Sequence, residues 1–350
     1  MTERTPKTIS GPATLLLASL ALACGGGDDS ASGDSGEDGI DLTEGIHATG
    51  TTGTSLDDGI FDGTAEDSSG EGQQFRCNAV DFVFVVDNSP SMTDEQQFLA
   101  QGVPGFVDAM QNALPNVESV RVGVIDTDSY PGLGTLEDPL DSCSASGVDC
   151  SSCDYQLGSL LTKPQSASDP ELSCEFSTGA PYMDGTSETF PNEFGCAALV
   201  GAVGNPVEQQ AGALVAAMSD ELNAAEGCNQ GFIRDDALLI FLLITDEEDN
   251  WAELGGSVGE PAEWFDAVVA IKNGRETNIV ALGLLGGSPK FEDCADLSQG
   301  VDGAEQSSRL VDFVERFPNH AVGSVCSDGY GPFFQEVLAK VAEGCANFIP

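Results

Sequence analysis

Two apolar runs limit what this chain can fold into. Val80-Asp81-Phe82-Val83-Phe84-Val85-Val86 and Ala237 to Thr245 are almost wholly apolar or β-branched, broken in the first case only by Asp81. Each is too short for a buried helix and ends in turn residues. Such runs read as strands covered on both faces, the strands of a parallel sheet. Val120 to Ile125 and Asn278 to Leu285 repeat the pattern, and His320 to Val325 is a shorter candidate. Helical stretches fall between them: from Thr93 onward, from Asn205 through Leu222, Glu263 to Lys272, Arg309 to Phe317, and Gly331 to Glu343. The alternation predicts an α/β fold, a doubly wound, mostly parallel central sheet with helices on both faces. Gly102 and Pro104 are expected to break or kink the first helix. Tyr155 to Leu161 is a candidate edge strand.

The chain opens differently. Arg4 and Lys7 precede an apolar run from Ala13 to Ala23, then Cys24. A basic start and a short apolar stretch read as an export signal, too short for a membrane span. Ala21-Leu22-Ala23-Cys24 resembles a bacterial lipobox, which implies that residues 1–24 are a signal peptide and that Cys24 receives lipid. Residues 25–74 are Gly, Ser, Thr, Asp and Glu with few apolar side chains, so this segment is expected to be a disordered linker. Residues 75–350 then form one domain, with an insertion at about 129–193.

Charge narrows the partners. Lys and Arg number 12 against 58 Asp and Glu, for a net charge of −46. Nucleic acid and anionic membrane surfaces repel such a chain. Membrane contact is expected through the lipid anchor alone. The expected location is the bacterial cell envelope, as a membrane lipoprotein.

Of 11 cysteines, setting aside Cys24 leaves ten, an even number that in an exported chain implies disulfides. Cys77 precedes the first strand and Cys345 ends the last helix, so a terminal clasp is expected. Proximity in sequence suggests Cys196–Cys228, Cys294–Cys326, and pairing among Cys143, Cys150, Cys153 and Cys174.

The chemistry gathers where the two apolar runs end. Asp87, Ser89 and Ser91 follow the first, and Asp246 follows the second. Open α/β sheets place their sites at the carboxyl ends of strands. Hard oxygens suit Mg²⁺, Ca²⁺ or Mn²⁺. With only His47 and His320, a histidine-rich zinc site is excluded, and no general-base constellation stands out. The chain is therefore read as a binding protein rather than an enzyme. A structural protein with a vestigial metal site and a metal-dependent hydrolase remain as alternatives.

Asp87-Asn88-Ser89-Pro90-Ser91 after a buried strand, with Leu242-Leu243-Ile244-Thr245-Asp246 further on, resembles the von Willebrand factor type A family. The resemblance spans about Val80 to Gly344. It implies a metal-ion-dependent adhesion site in which two serines, two aspartates and a threonine surround one divalent ion. It implies adhesion as the function and a partner's carboxylate as the group that completes the ion's shell. The sequence departs from the pattern at the threonine: Gly201 to Gln210 contains none, and Glu208 stands about where it would fall. Glu208 is either an ion ligand or a helix cap, and Thr186 and Thr189 are weaker substitutes. Asp94, Glu95 and Asp249 are candidates for an adjacent cation site, with ordinary first-turn helix charge the preferred reading. Trp251 and Trp264 near the Asp246 loop are read as packing residues or, if exposed, partner anchors.

Overall fold

A computed structural model describes residues 76–114, 116–128, 151–162, 174–201, 204, 208–287, 294–296 and 303–350. The expected signal segment, Cys24, the linker, Cys143 and Cys150 lie outside the described residues. No helix among the described residues is long and apolar enough to cross a membrane.

In chain order the elements are β1 (Ala79–Val86), α1 (Thr93–Ala113), β2 (Ser119–Ile125), β3 (Met183–Asp184), α2 (Phe190–Ala197), α3 (Gln210–Ala217), α4 (Asp220–Asn223) and β4 (Leu238–Thr245). There follow α5 (Pro261–Ile271), β5 (Ile279–Leu285), the short pair β6 (Ala295–Asp296) and β7 (Gly303–Ala304), α6 (Ser308–Glu315), β8 (Asn319–Ser324) and α7 (Gly331–Asn347). Six strands form the central sheet in the order β3-β2-β1-β4-β5-β8. All its pairings are parallel except β2 with β3. The fold is thus the α/β class expected, with β1 and β4 at its centre.

Both central strands are buried along their whole length. Because successive side chains point to opposite faces, β1 divides its apolar residues between two cores. Phe82, Phe84 and Val86 pack with α1, α2 and α7, while Val83 and Val85 pack with α3, α5 and α6. Phe82 stacks on Phe84 at 4.1 Å and meets Phe106 of α1 edge-on at 5.8 Å. Each such fully buried aromatic side chain contributes about 1.5–3 kcal/mol.

The interruption at Asp81 has a partner. Arg234 donates from Nε to Asp81 Oδ1 at 2.8 Å and from its backbone N–H to Oδ2 at 2.7 Å. Its other nitrogens reach the Val80 carbonyl and Ser119 Oγ, both at 2.8 Å. Lys272, also buried, donates to the carbonyls of Arg234 and Ala237 at 2.6 and 2.8 Å. This latch closes the amino end of the sheet, opposite the end that carries Asp87.

Several expectations are corrected. Helix α1 runs unbroken through Gly102 and Pro104. Leu99, Val103, Phe106, Val107 and Met110 bury one side of it, and that burial outweighs the roughly 3 kcal/mol an interior proline costs. Gly102 lets the Phe334 ring approach, since a Cβ there would sit 3.1 Å from it. The single helix expected through Leu222 is instead α3 and α4, the second capped by Ser219 Oγ accepting from Leu222 N–H at 3.4 Å. Tyr155 to Leu161 is not a strand: a 3₁₀ turn spans Ser152–Tyr155, and Gly158 turns at φ 79° against the α3 backbone. The strand that edges the sheet beside β2 is β3, and β8 forms the other edge.

Disulfides Cys77–Cys345 and Cys294–Cys326 form as expected. Cys196 does not pair with Cys228. Cys196 bonds Cys174, and Cys228 bonds Cys153. The sheet explains the exchange. Cys196 packs on the α1–α7 face, whereas Cys228 precedes Asn229 and Phe232, which pack with Gly158 and α3 on the other face.

Candidate metal centre

The carboxyl ends of β1, β2 and β4 converge on a buried group of oxygens. The Asp87 N–H donates to the Ile244 carbonyl at 3.0 Å, which fixes the end of β1 against β4. Beyond that bond the strand turns. Asp87 Oδ1 accepts from Ser89 N–H at 2.7 Å, and Oδ2 accepts from Thr245 Oγ1 at 2.5 Å. Ser89 Oγ lies 3.2 Å from Ser91 Oγ, and the Ser91 hydroxyl bonds the Asp246 carboxylate. Gln96 of α1 steadies the turn, donating to the carbonyls of Asp87 at 3.0 Å and Gly201 at 2.7 Å.

The end of β2 supplies the other wall. Thr127 donates from Oγ1 to Glu208 Oε2, and its carbonyl accepts from Gln209 N–H at 2.9 Å. Asn88 donates to Asp128 Oδ2 at 3.4 Å, and its carbonyl accepts from Gly204 N–H at 2.9 Å. A Cβ on Gly204 would fall 2.3 Å from Asn88 Oδ1, so glycine there leaves room for the Asn88 side chain.

One carboxylate oxygen each from Asp87, Glu208 and Glu247 lie within 4.8 Å of one another. Asp87 and Glu208 are fully buried and Asp246 nearly so. Glu208 Oε1 and Asp246 Oδ1 are buried without a hydrogen-bond partner. Among the described residues no ion pair reaches any of these four acids. Uncompensated buried carboxylates are costly and must either hold protons or face a cation. Hard oxygens of this kind fit Mg²⁺ or Ca²⁺; Asp87, Glu208 and Glu247 could hold such an ion as charged ligands, with Ser89, Ser91 and Asp246 beside them.

Burial first, and the neighbouring negative charge of Asp87 second, raise Asp246 to about 7 and Glu247 to about 8. Glu208 is raised well above the usual range for the same two reasons, against the Thr127 hydrogen bond. Asp87 is raised by burial, against hydrogen bonds from Thr245 and Ser89. The consequence for stability has a definite sign. Unfolded carboxyls lose their protons near pH 4, whereas the folded ones hold theirs toward pH 7 and 8. Between those limits the folded state binds more protons, so stability declines as pH rises. In EDTA the melting temperature should fall from pH 6 to pH 9, by roughly 5 °C or more. Millimolar Ca²⁺ should remove most of that fall. A midpoint that is flat or rises across this range in EDTA contradicts the assignment.

The residues singled out in the sequence fall into two groups. Asp87, Ser89, Ser91, Asp246 and Glu208 lie together. Thr186 and Thr189 do not join them; their hydroxyls bond Asp184 at 2.7 Å and Glu193 at 2.5 Å on the exposed β3–α2 turn. Asp94 is exposed on α1, while the charge of Glu95 acts on Asp246. Asp249 is a structural brace: it accepts from Ala211 N–H at the start of α3 and from Ser257 N–H and Oγ, at 2.7–2.9 Å. Trp264 is buried and Trp251 is 50% exposed, and the Arg309 guanidinium stacks against both rings at 4.7 and 4.3 Å.

Thr127 and Glu247 escaped the sequence reading as site residues. A signal for each was present: Asp126-Thr127-Asp128 closes a buried strand as Asp87 does, and Glu247 adjoins Asp246. A threonine hydroxyl thus lies beside Glu208 after all, supplied by β2.

No protein-family model matches the sequence, and no curated protein does. Among solved structures, two crystal forms of proximal thread matrix protein 1 from the mussel byssus are similar, each at 11% identity, with TM-scores of 0.39 and 0.35. The alignments cover 77% and 78% of this chain, which spans about half the length of that protein (50% and 48%).

Proposed function

We propose that this chain is a binding protein of the bacterial cell envelope, built on a von Willebrand type A-like domain, that engages a protein or peptide partner through a divalent ion at the carboxyl end of its sheet. The observation that carries this reading is the convergence of Asp87, Ser89, Ser91 and Asp246, with buried carboxylate oxygens that no hydrogen bond satisfies. Supporting it, the two aspartates end adjacent parallel strands at the sheet's centre. Half-exposed Trp251, in the loop after Asp246, offers a partner an aromatic anchor. The disulfides support an oxidising compartment. Together with the signal-like start and Cys24 they favour export and a lipid tether, as a membrane lipoprotein. On this reading the group serves binding rather than catalysis.

The test is calorimetric titration of the metal-stripped protein with Ca²⁺ and Mg²⁺. One ion is expected to bind per chain. Asp87→Ala should weaken that binding at least about 100-fold, because it removes a charged ligand rather than an outer partner. Equal affinity in the two proteins, or no binding by either, removes the ion from this site.

A further inference from the structure

The proposed ion site departs from the pattern it resembles in one residue, and that residue bears on which ion it takes. Glu208 is fully buried just before α3, tied through Oε2 to Thr127, and its Oε1 has no partner. Asp246 Oδ1 is likewise buried and unpartnered. Two buried acceptors without a donor among neighbouring acids are groups that a cation would satisfy.

Resting on the reading that a divalent ion binds here, we propose that Glu208 makes this a calcium site in preference to magnesium. The donor set carries the argument. Mg²⁺ holds a strict octahedron at about 2.0–2.1 Å, keeps several waters and is served by one or two carboxylates, whereas Ca²⁺ takes six to eight oxygens at about 2.3–2.6 Å and accepts carboxylates in either mode. Asp87, Glu208 and Glu247 bring three carboxylates together, and Asp246, held by Ser91, adds negative charge beside them. The oxygens of the first three lie within 4.8 Å of one another. Three charged donors this close exceed the one or two carboxylates that usually serve Mg²⁺ and suit the higher ligand count of Ca²⁺. Crowding three anions on one ion is also repaid better by a larger ion with more open geometry than by one reluctant to shed its water. A threonine in place of Glu208 would leave a smaller, less charged donor set nearer to what Mg²⁺ accepts.

The experiment is calorimetric titration of the metal-stripped full chain with CaCl₂ and with MgCl₂, for wild type, Glu208→Thr and Glu208→Gln. The glutamine variant keeps the side chain's size and the Thr127 contact, so it controls for folding. Wild type should bind Ca²⁺ at least about tenfold more tightly than Mg²⁺. Glu208→Gln should lose about tenfold in Ca²⁺ affinity, and Glu208→Thr should narrow or reverse the Ca²⁺/Mg²⁺ ratio. If wild type binds both ions but favours Mg²⁺, or if the ratio is the same in all three proteins, the assignment to Glu208 is overturned while the ion site stands. If none of the proteins binds either ion, the ion site itself is overturned.

Discussion

Cys77→Ala/Cys345→Ala is expected to cost about 5 kcal/mol of stability, the largest loss among the changes considered. The bond joins residues 268 positions apart. Closing a loop of that length removes more entropy from the unfolded chain than any of the shorter bridges, and the chain-entropy relation gives about 5–6 kcal/mol for it. Both sulfurs are buried, and the Arg76 N–H donates to the Cys345 carbonyl at 3.0 Å, so the bond clasps the start of β1 to the end of α7. The melting temperature should drop by roughly 10 °C or more, read by calorimetry beside the parent protein. Ion affinity at temperatures where the variant is folded should be unchanged, because the clasp sits at the amino end of β1 and Asp87 follows its carboxyl end. A loss below about 1 kcal/mol would show that the unfolded chain is already restrained by other means.

The second large effect is at Arg234. Asp81 is fully buried, and Arg234 supplies both the side-chain and a backbone hydrogen bond that it accepts. Burial raises the Asp81 carboxyl above its usual range, and Arg234 draws it back. Arg234→Ala leaves the carboxylate without its charge partner in the middle of the sheet's amino end, a change that costs about 3–5 kcal/mol in comparable pairs. The pH dependence distinguishes this from lost packing. Without the guanidinium, Asp81 holds its proton to higher pH, so the deficit should be greatest in neutral to alkaline solution and shrink as pH falls and the acid is neutralised. Asp81→Asn in the same background should recover part of the loss. A deficit independent of pH would mean that Arg234 acts through its aliphatic stem alone.

These two features illustrate what the sequence could and could not reveal. The central strands were legible because Val80 to Val86 and Leu238 to Thr245 must be apolar on both faces to sit inside a parallel sheet, a constraint that leaves its mark on every residue. Asp81 was visible as an interruption, but Arg234 lies 153 positions away and only the fold brings it there. The clasp of Cys77 to Cys345 followed from where the terminal elements of such a fold meet. The exchange at Cys196 did not, because nearness along the chain cannot tell which face of the sheet a loop crosses. Pro104 failed as a helix breaker for a related reason: local preference of about 3 kcal/mol is smaller than the tertiary burial of one face of α1.

At the site, strand-end acids and serines were legible from their spacing, since a buried strand dictates where the chain emerges. Thr127 was not, since its role depends on β2 lying beside β1, with Ala79 to Val85 in register with Ser119 to Ile125. Glu208 stood at an ambiguous position, ligand or cap. Its carboxylate faces Thr127 and Asp87 rather than the end of α3, whose first turn is tied instead by Asp249 to Ala211 N–H. That position was therefore already served by a residue 38 positions from Ala211, in the loop after β4, which no local pattern announces.

The most direct measurement is a crystal structure of the protein grown with millimolar Ca²⁺. A single ion is expected among Asp87, Glu208, Glu247 and Asp246, at about 2.3–2.6 Å from carboxylate oxygens of at least Asp87 and Glu208. Clear density for these four side chains with no ion among them, or an ion bound elsewhere while they remain protonated, would contradict the account.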